Sequence, residues 1–405
     1  MSADVLIIGA GLAGLNCARE LALRNISVEV HEASDGVGGR VRTDVIDGFR
    51  LDRGFQVMLS AYPECRRVLD YGGLELRPFY PGARVRVNGK FQLLGDPWRK
   101  PGSAFETLVS SVGSLADKFR IASLRSSVQH DPWIQPELTT LERLRNHGFT
   151  PEFIHRFFRP FLGGIYLEPQ LETSSRMFDF VFHMMAEGET TVPRLGIEQI
   201  PQQLAGALEP GSVQLNSPVQ STRTGASITV VATDGADAAA ITGEPALAPR
   251  FWGVHTLYFA ADHAPSDEAI LFLNGDGDGP VNNFAVMSAV SDAYAPPGAA
   301  LCCATVLDSG SMNDVELEYA VRKQMTAWFG PHVARWRHLR TYHIPRALPV
   351  QIPPALSPAE REVRLRQGVY VCGDYRDNAS INGALQSGRR AAEAILADQF
   401  PMKRE

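Results

Sequence analysis

The chain opens on a glycine pattern that few local structures can use. Gly9-Ala10-Gly11-Leu12-Ala13-Gly14 follows the apolar run Asp4-Val5-Leu6-Ile7-Ile8. It precedes a segment with Leu15, Ala18, Leu21 and Ala22 on one helical face. The run reads as a buried parallel strand and residues 12–24 as a helix. Gly9 permits the tight turn, Gly11 lets the backbone approach a pyrophosphate, and Gly14 lets the helix pack closely on the sheet. The helix start at Leu12 and Ala13 then offers unpaired N–H groups and a positive dipole end to phosphate. Ser27 to His31 reads as a second strand, and Glu32 ends it, 18 residues after Gly14. A carboxylate there suits adenosine ribose hydroxyls and repels a 2′-phosphate, which argues against NADP. A glycine-rich turn alone recurs by chance. Strand, helix and acid in one register make this one specific for a dinucleotide.

Two further segments point to the same ligand. Glu32-Ala33-Ser34-Asp35-Gly36-Val37-Gly38-Gly39-Arg40 follows the second strand. Its glycine pair lets the backbone fold under a pyrophosphate, and Arg40 can pair with phosphate charge. Near the far end, Gly368 to Cys372 reads as a strand and is followed by Gly373-Asp374. Ile381-Asn382-Gly383-Ala384-Leu385-Gln386-Ser387-Gly388 then opens the last long helix. Together these motifs resemble the superfamily of FAD-dependent amine oxidases, protoporphyrinogen oxidases and phytoene-type desaturases. The resemblance covers the whole chain in layout. It is motif-specific over about 50 residues at the start and about 30 at the end.

That resemblance implies a non-covalent FAD. It places Asp374 on the ribityl hydroxyls or near the phosphates. The backbone N–H groups of Asn382 and Gly383, beside Ile381 and Ala384, would face the pyrimidine edge of the flavin. Reduced flavin carries negative charge there, which a helix N-terminus stabilises. Asp52-Arg53-Gly54-Phe55-Gln56 resembles a stretch that runs beside the flavin ring, with Gln56 its nearest polar group. Val219 falls where the superfamily sets a backbone group against adenine.

The expected fold class is α/β: a Rossmann-like FAD-binding domain of glutathione-reductase type with an inserted α+β substrate domain. A chain of 405 residues suits two domains. Residues 1–85, 190–248 and 345–405 are assigned to the discontinuous FAD-binding domain. Residues 86–189 and 249–344 are assigned to the substrate domain. Within the latter, Arg84 to Leu93 reads as a hairpin around Asn88-Gly89. Residues 104–126 and 139–158 read as helices, interrupted after them by Pro160 to Gly164. Ser174 to Glu187 is a helix apolar nearly all round. That patterning fits either core or the wall of an apolar pocket.

Composition narrows the partners. Net charge is −6 without a polybasic run, so no nucleic acid is expected. The five cysteines form no CxxC, which argues against a dithiol reductase and a zinc site; no metal is expected. The chain carries no recognisable signal peptide and no run of 18 apolar residues. A cytoplasmic location follows as the expectation. Peripheral membrane contact is a second reading, through Leu108, Val109, Val112 and Leu115 beside Lys118, Arg120 and Arg125.

The expected chemistry is hydride abstraction from a small hydrophobic substrate, of isoprenoid or porphyrinogen type. Phe157, Phe158, Phe161, Tyr166 and Phe182 are the candidate wall, with the flavin as the reacting group. Electrons would leave to O2, a quinone or a carrier, since no second GxGxxG offers a nicotinamide site. Two alternatives stand beside this reading. Amine oxidation is one, although none of the five lysines lies on the candidate flavin-facing strand 254–260. A non-redox flavin-dependent isomerase or mutase is the other.

Overall fold

The computed structural model describes residues 3–128 and 131–400. Two sheets organise it. The first has the strand order Val213–Gln214, Val28–His31, Val5–Ile8, Ile228–Val231, Val369–Val371, Arg364–Arg366. Its inner pairs are parallel, with Val5 opposite both Val28 and Ile228. Val5, Ile7, Val30, Val230 and Val231 are fully buried. Such near-continuous β-branched runs are what a sheet covered on both faces requires.

The helix Leu12–Ala22 packs against the last helix, Ile381–Gln399. The approach is close. A Cβ on Gly388 would lie 2.1 Å from the Ala13 carbonyl oxygen. The Asn16 amide donates to the Leu385 carbonyl at 2.7 Å in the same seam. Gly14 is equally tight, since a Cβ there would lie 2.0 Å from the Gly9 carbonyl oxygen. These contacts bring the two ends of the chain side by side.

The second sheet has the order Arg337–Pro349, Phe251–Ala261, Ala300–Val306, Val281–Val286, Leu271–Leu273, Gly82–Val87, Lys90–Gly95. It is antiparallel except where Leu271–Leu273 runs parallel to Gly82–Val87. Asn88 and Gly89 both take positive φ, 52° and 74°, as a two-residue hairpin of this twist demands. Sheet membership shifts the expected domain boundaries. Gly82 already pairs in this sheet, and Arg337–Pro349 stays in it past residue 344. The expected strand from Val213 to Val219 pairs only over Val213–Gln214.

The helical layer also departs from expectation. Residues 104–126 form two helices, Ala104–Val109 and Leu115–Ser127. Ser114 and Asp117 close a capping box at the second start. Gly113 sits where a Cβ would enter the Phe153 ring, so the chain turns there. Pro160 does not break its segment. A π-helical turn, Ile154–Phe158, widens the helix just before it, and Arg159–Tyr166 continues. Pro160 then falls in a first helical turn, where its missing N–H is tolerated.

Asp52 is the buried node between the sheets. Its carboxylate accepts from Thr43 Oγ1 at 2.6 Å, Ile197 N at 3.0 Å and Tyr294 OH at 2.8 Å. Burial pushes its pKa up to about 6, against the three hydrogen bonds that favour the anion. Burial likewise raises Asp377 to about 6, although Arg390 pairs with it. A carboxyl raised in the folded state stabilises most below its unfolded value, near 4. That stability is lost as pH rises through 6. Melting temperature should therefore fall between pH 4 and 7, and Asp52→Asn should flatten the slope. An unchanged slope in the variant would assign the effect elsewhere. In the helix seam, Gly388→Ala should cost about 1–3 kcal/mol through forced separation. The check is a lower melting temperature together with reduced flavin retention.

Candidate functional site

One cavity of about 1200 Å³ runs from the first sheet to the second. That exceeds the roughly 300–1,000 Å³ of ordinary ligand pockets, so it has room for a dinucleotide and a substrate together. The first-sheet end is built from backbone. Gly9 turns the chain at φ 106°, and Gly11, Leu12 and Ala13 line the cavity at the helix start. Gly11 caps that helix without a side-chain bond, so its first N–H groups stay available. A Cβ on Gly11 would meet nothing within 4 Å, and one on Gly39 only the Gly11 Cα. Open space beside two glycines is a cradle of the kind a pyrophosphate fills.

Glu32 is pre-oriented. Its Oε2 accepts from Ala10 N at 2.8 Å, and its Oε1 from the N and Oγ of Ser34. Glu32 lines the cavity beside Ala33 and Val219. Gly38, Gly39 and Arg40 line the next stretch. Arg40 Nη2 lies 2.8 Å from Asp374 Oδ1, and Nη1 donates to the Ala347 carbonyl. Desolvation opposes the Arg40 charge, but Asp374 outweighs it and holds the guanidinium pKa above its ordinary value. The pair joins the early loop to Gly373-Asp374, so both motif ends reach one wall.

Not every expected residue lines that wall. Gly14 does not, because it seats the helix on the strand turn. Ile381 and Ala384 line the cavity, but Asn382 and Gly383 do not. The Gly383 N–H is held by Ser380 Oγ at 3.0 Å as the helix cap. The Asn382 side chain is buried and accepts from Glu64 N. The remaining orphan N–H groups of that turn belong to Ile381 and Asn382. Gly54, Phe55 and Gln56 line the middle. The Gln56 amide donates to the carbonyls of Arg40 and Arg53, which leaves its oxygen as the free polar atom.

The far end is apolar, and helical periodicity decides which aromatics reach it. Phe157, Phe161 and Ile165, at i, i+4, i+8, line it. Phe157 and Phe161 stack at 5.2 Å. Phe158 and Tyr166, each one position on and so about 100° around the helix, face away from the cavity, and both are core. Phe158 packs edge-on to Phe149 and Phe178, and the Tyr166 hydroxyl is buried without a partner. The helix Ser175–Glu187 divides the same way. Met177, Val181, Phe182 and Met185 line the cavity, while Phe178 is fully buried behind them.

Several lining residues carry no signal in the sequence. Tyr62 stacks on Phe180 at 5.7 Å. Asn283 and Thr305 face the cavity from the second sheet, 3.2 Å apart and almost fully buried. Only register across that sheet joins them. Lys118 also lines it, with Nζ donating to the Leu108 and Ser110 carbonyls; burial draws its pKa below the ordinary value. His255 and His343 pair with each other outside the cavity, with Nδ1 atoms 2.6 Å apart. All five cysteines are buried and unpaired.

The sequence profile described as flavin containing amine oxidoreductase matches residues 12–248 and 253–396. The chain belongs to that family. Its cofactor is FAD, and the glycine cradle, Glu32 and the Arg40–Asp374 pair are the residues that fit it. Among curated relatives, protoporphyrinogen oxidase 2 of Arabidopsis thaliana is 31% identical over 169 residues, 40% of this chain and 32% of that protein. Putrescine oxidase of Kocuria rosea is 42% identical over 150 residues, 36% of this chain and 30% of that protein. The matched stretches thus span about a third of those relatives. A putrescine oxidase structure with putrescine bound shares the fold, with TM-score 0.73 at 18% identity, 98% of this chain and 99% of that one. No helix among the described residues is long and apolar enough to cross a membrane.

Gly11→Val should fold, since its side chain enters open space, yet lose FAD because that space is the cradle. Glu32→Ala should lower FAD affinity about tenfold or more, through lost charged hydrogen bonds. Flavin released on denaturation, per mole of protein, measures both. Wild-type occupancy in either variant would refute the assignment.

Proposed function

We propose that the protein is an FAD-dependent oxidoreductase that removes a hydride from a carbon of a hydrophobic substrate. One observation carries this reading: the cavity beyond the cofactor cradle is walled by Phe157, Phe161, Ile165, Val181, Phe182 and Met185. Such a wall desolvates a ligand and holds it by shape, with few directional contacts. Bound FAD supplies a two-electron acceptor for the C–H bond. The chain positions that bond and excludes water. Tyr62, Gln56, Asn283 and Thr305 are polar groups that can fix orientation, and the charged Asp96, Arg99, Lys118 and Arg125 line the same cavity. Two electrons and one proton leave with the hydride, and a second proton leaves to solvent, so the product is desaturated.

Amine oxidation is the second reading, favoured by the family membership and the putrescine oxidase relative. Against it, strand Phe251–Ala261 carries no lysine, and the lysine that lines the cavity, Lys118, is tied to two carbonyls. Neither arrangement supplies a free lysine base to an amine substrate. Re-oxidation by O2, a quinone or a carrier protein follows as a separate step.

The test is anaerobic mixing of the FAD-loaded protein with an apolar polyene or tetrapyrrole panel and a small-amine panel. Bleaching of the flavin by an apolar compound, with a product two hydrogens lighter, is the expected result. Ammonia and aldehyde release from small amines would move the protein to amine chemistry. Turnover only after pre-reduction, with no net electron flow, would make it an isomerase. Phe161→Asp should lower kcat/KM for the apolar substrate about a hundredfold by placing a charge in the wall. FAD content should stay unchanged, which separates substrate from cofactor loss.

A further inference from the structure

Six of the twelve large apolar side chains exposed among the described residues fall between Trp98 and Phe119. They are Trp98, Phe105, Leu108, Val109, Leu115 and Phe119. They form one surface. Phe105, Leu108 and Val109 sit at i, i+3, i+4 on the helix Ala104–Val109, and Leu115 and Phe119 at i, i+4 on Leu115–Ser127. Lys118 ties the two helices together through the Leu108 and Ser110 carbonyls. Trp98 lies beneath the Arg125 guanidinium, 5.5 Å from its ring centroid. Trp98, Leu108 and Phe119 also line the cavity, so this collar surrounds its mouth. An apolar patch that large on a protein surface marks an interaction site.

Charge selects the partner. Val112 and Lys118, expected on this face, are buried, and Lys118 Nζ is held by two carbonyls, so the side chains left to meet a partner from Asp96 to Arg125 are the cations Arg99, Lys100, Arg120 and Arg125 against the acids Asp96 and Glu106. Asp117 is buried in a cap and faces Thr150. The collar is thus net positive on a chain of net charge −6. A second copy would set like charge against like. An anionic lipid surface complements it: aromatics enter the acyl boundary while long cations reach the headgroups.

We propose that this collar docks the protein on anionic lipid bilayers, with the cavity mouth facing the acyl layer. The purpose rests on the apolar-substrate reading, since a lipid-dissolved substrate would enter the cavity without crossing water. Docking itself needs no substrate, so the two are separable.

The experiment is co-sedimentation of FAD-loaded protein with vesicles of phosphatidylcholine alone and of phosphatidylcholine with phosphatidylglycerol. Binding to the mixed vesicles, weakened by salt and accompanied by a blue shift of tryptophan emission, is expected. Phe105→Ser with Val109→Ser, both solvent-facing and outside the cavity lining, should reduce partitioning about tenfold or more. FAD content and melting temperature should not change. Failure of the wild type to bind the mixed vesicles, or equal binding by the double variant, would overturn the proposal. So would a dimer in sedimentation velocity that the double variant loses while vesicles go unbound, because a second copy would then own the collar. Vesicle binding by a protein that oxidises only small amines would keep the docking and remove the substrate reading.

Discussion

The seam between the first and last helices is the constraint on which the site depends. Gly388 lies against the Ala13 carbonyl, where any larger residue would hold the helices apart. Separation there would carry Ile381 and Asp374 away from Gly11 and Arg40. The cofactor wall is assembled from residues more than 300 positions apart, and no single motif encloses the ligand. The parallel sheet sets the strand ends, the seam sets the helix starts, and the Arg40–Asp374 pair closes the gap between the loops.

Asp52 plays a similar part between the domains. One carboxylate gathers Thr43, Ile197 and Tyr294, which belong to three distant stretches. The Tyr258 hydroxyl donates to the Asp52 backbone carbonyl as well, from the second sheet. A buried carboxyl with a raised pKa is a costly way to hold a core, and packed apolar residues would often be more stable. What the polar node adds is direction. It fixes the strand that delivers Gly54, Phe55 and Gln56 to the middle of the cavity. Hydrogen-bond geometry sets that strand's height more sharply than packing alone.

What the sequence made legible was local. Turn glycines, the acid at Glu32 and the Asn88-Gly89 hairpin act through backbone geometry within a few residues, and each has a residue-level signature. Most residues expected at the glycine-rich end therefore do line the cavity, except where a cap intervened. Ser380 takes the Gly383 N–H, a competition that only the helix start in three dimensions reveals. The substrate end was read as a set of aromatics, without its division into wall and core. Phe157 and Phe158 are neighbours in sequence, but a helix turns them about 100° apart, so one faces the cavity and the other the core. The rotation depends on the π-helical turn before Pro160, which shifts the register and has no compositional mark. Asn283 and Thr305 meet only through sheet register, which strand propensity does not encode.

The two ends of the cavity also differ in how they tolerate change. The cofactor end offers mostly main-chain groups and the absence of side chains. Many sequences preserve it, provided a few glycines and one carboxylate stay in place. The apolar end is made of side chains on two helices and one sheet face, and each substitution alters its volume directly. The fold itself is shared with a putrescine oxidase at 18% identity. Under the proposed reading, substrate choice lies with the stripe from Phe157 to Met185, where side chains and not backbone line the cavity.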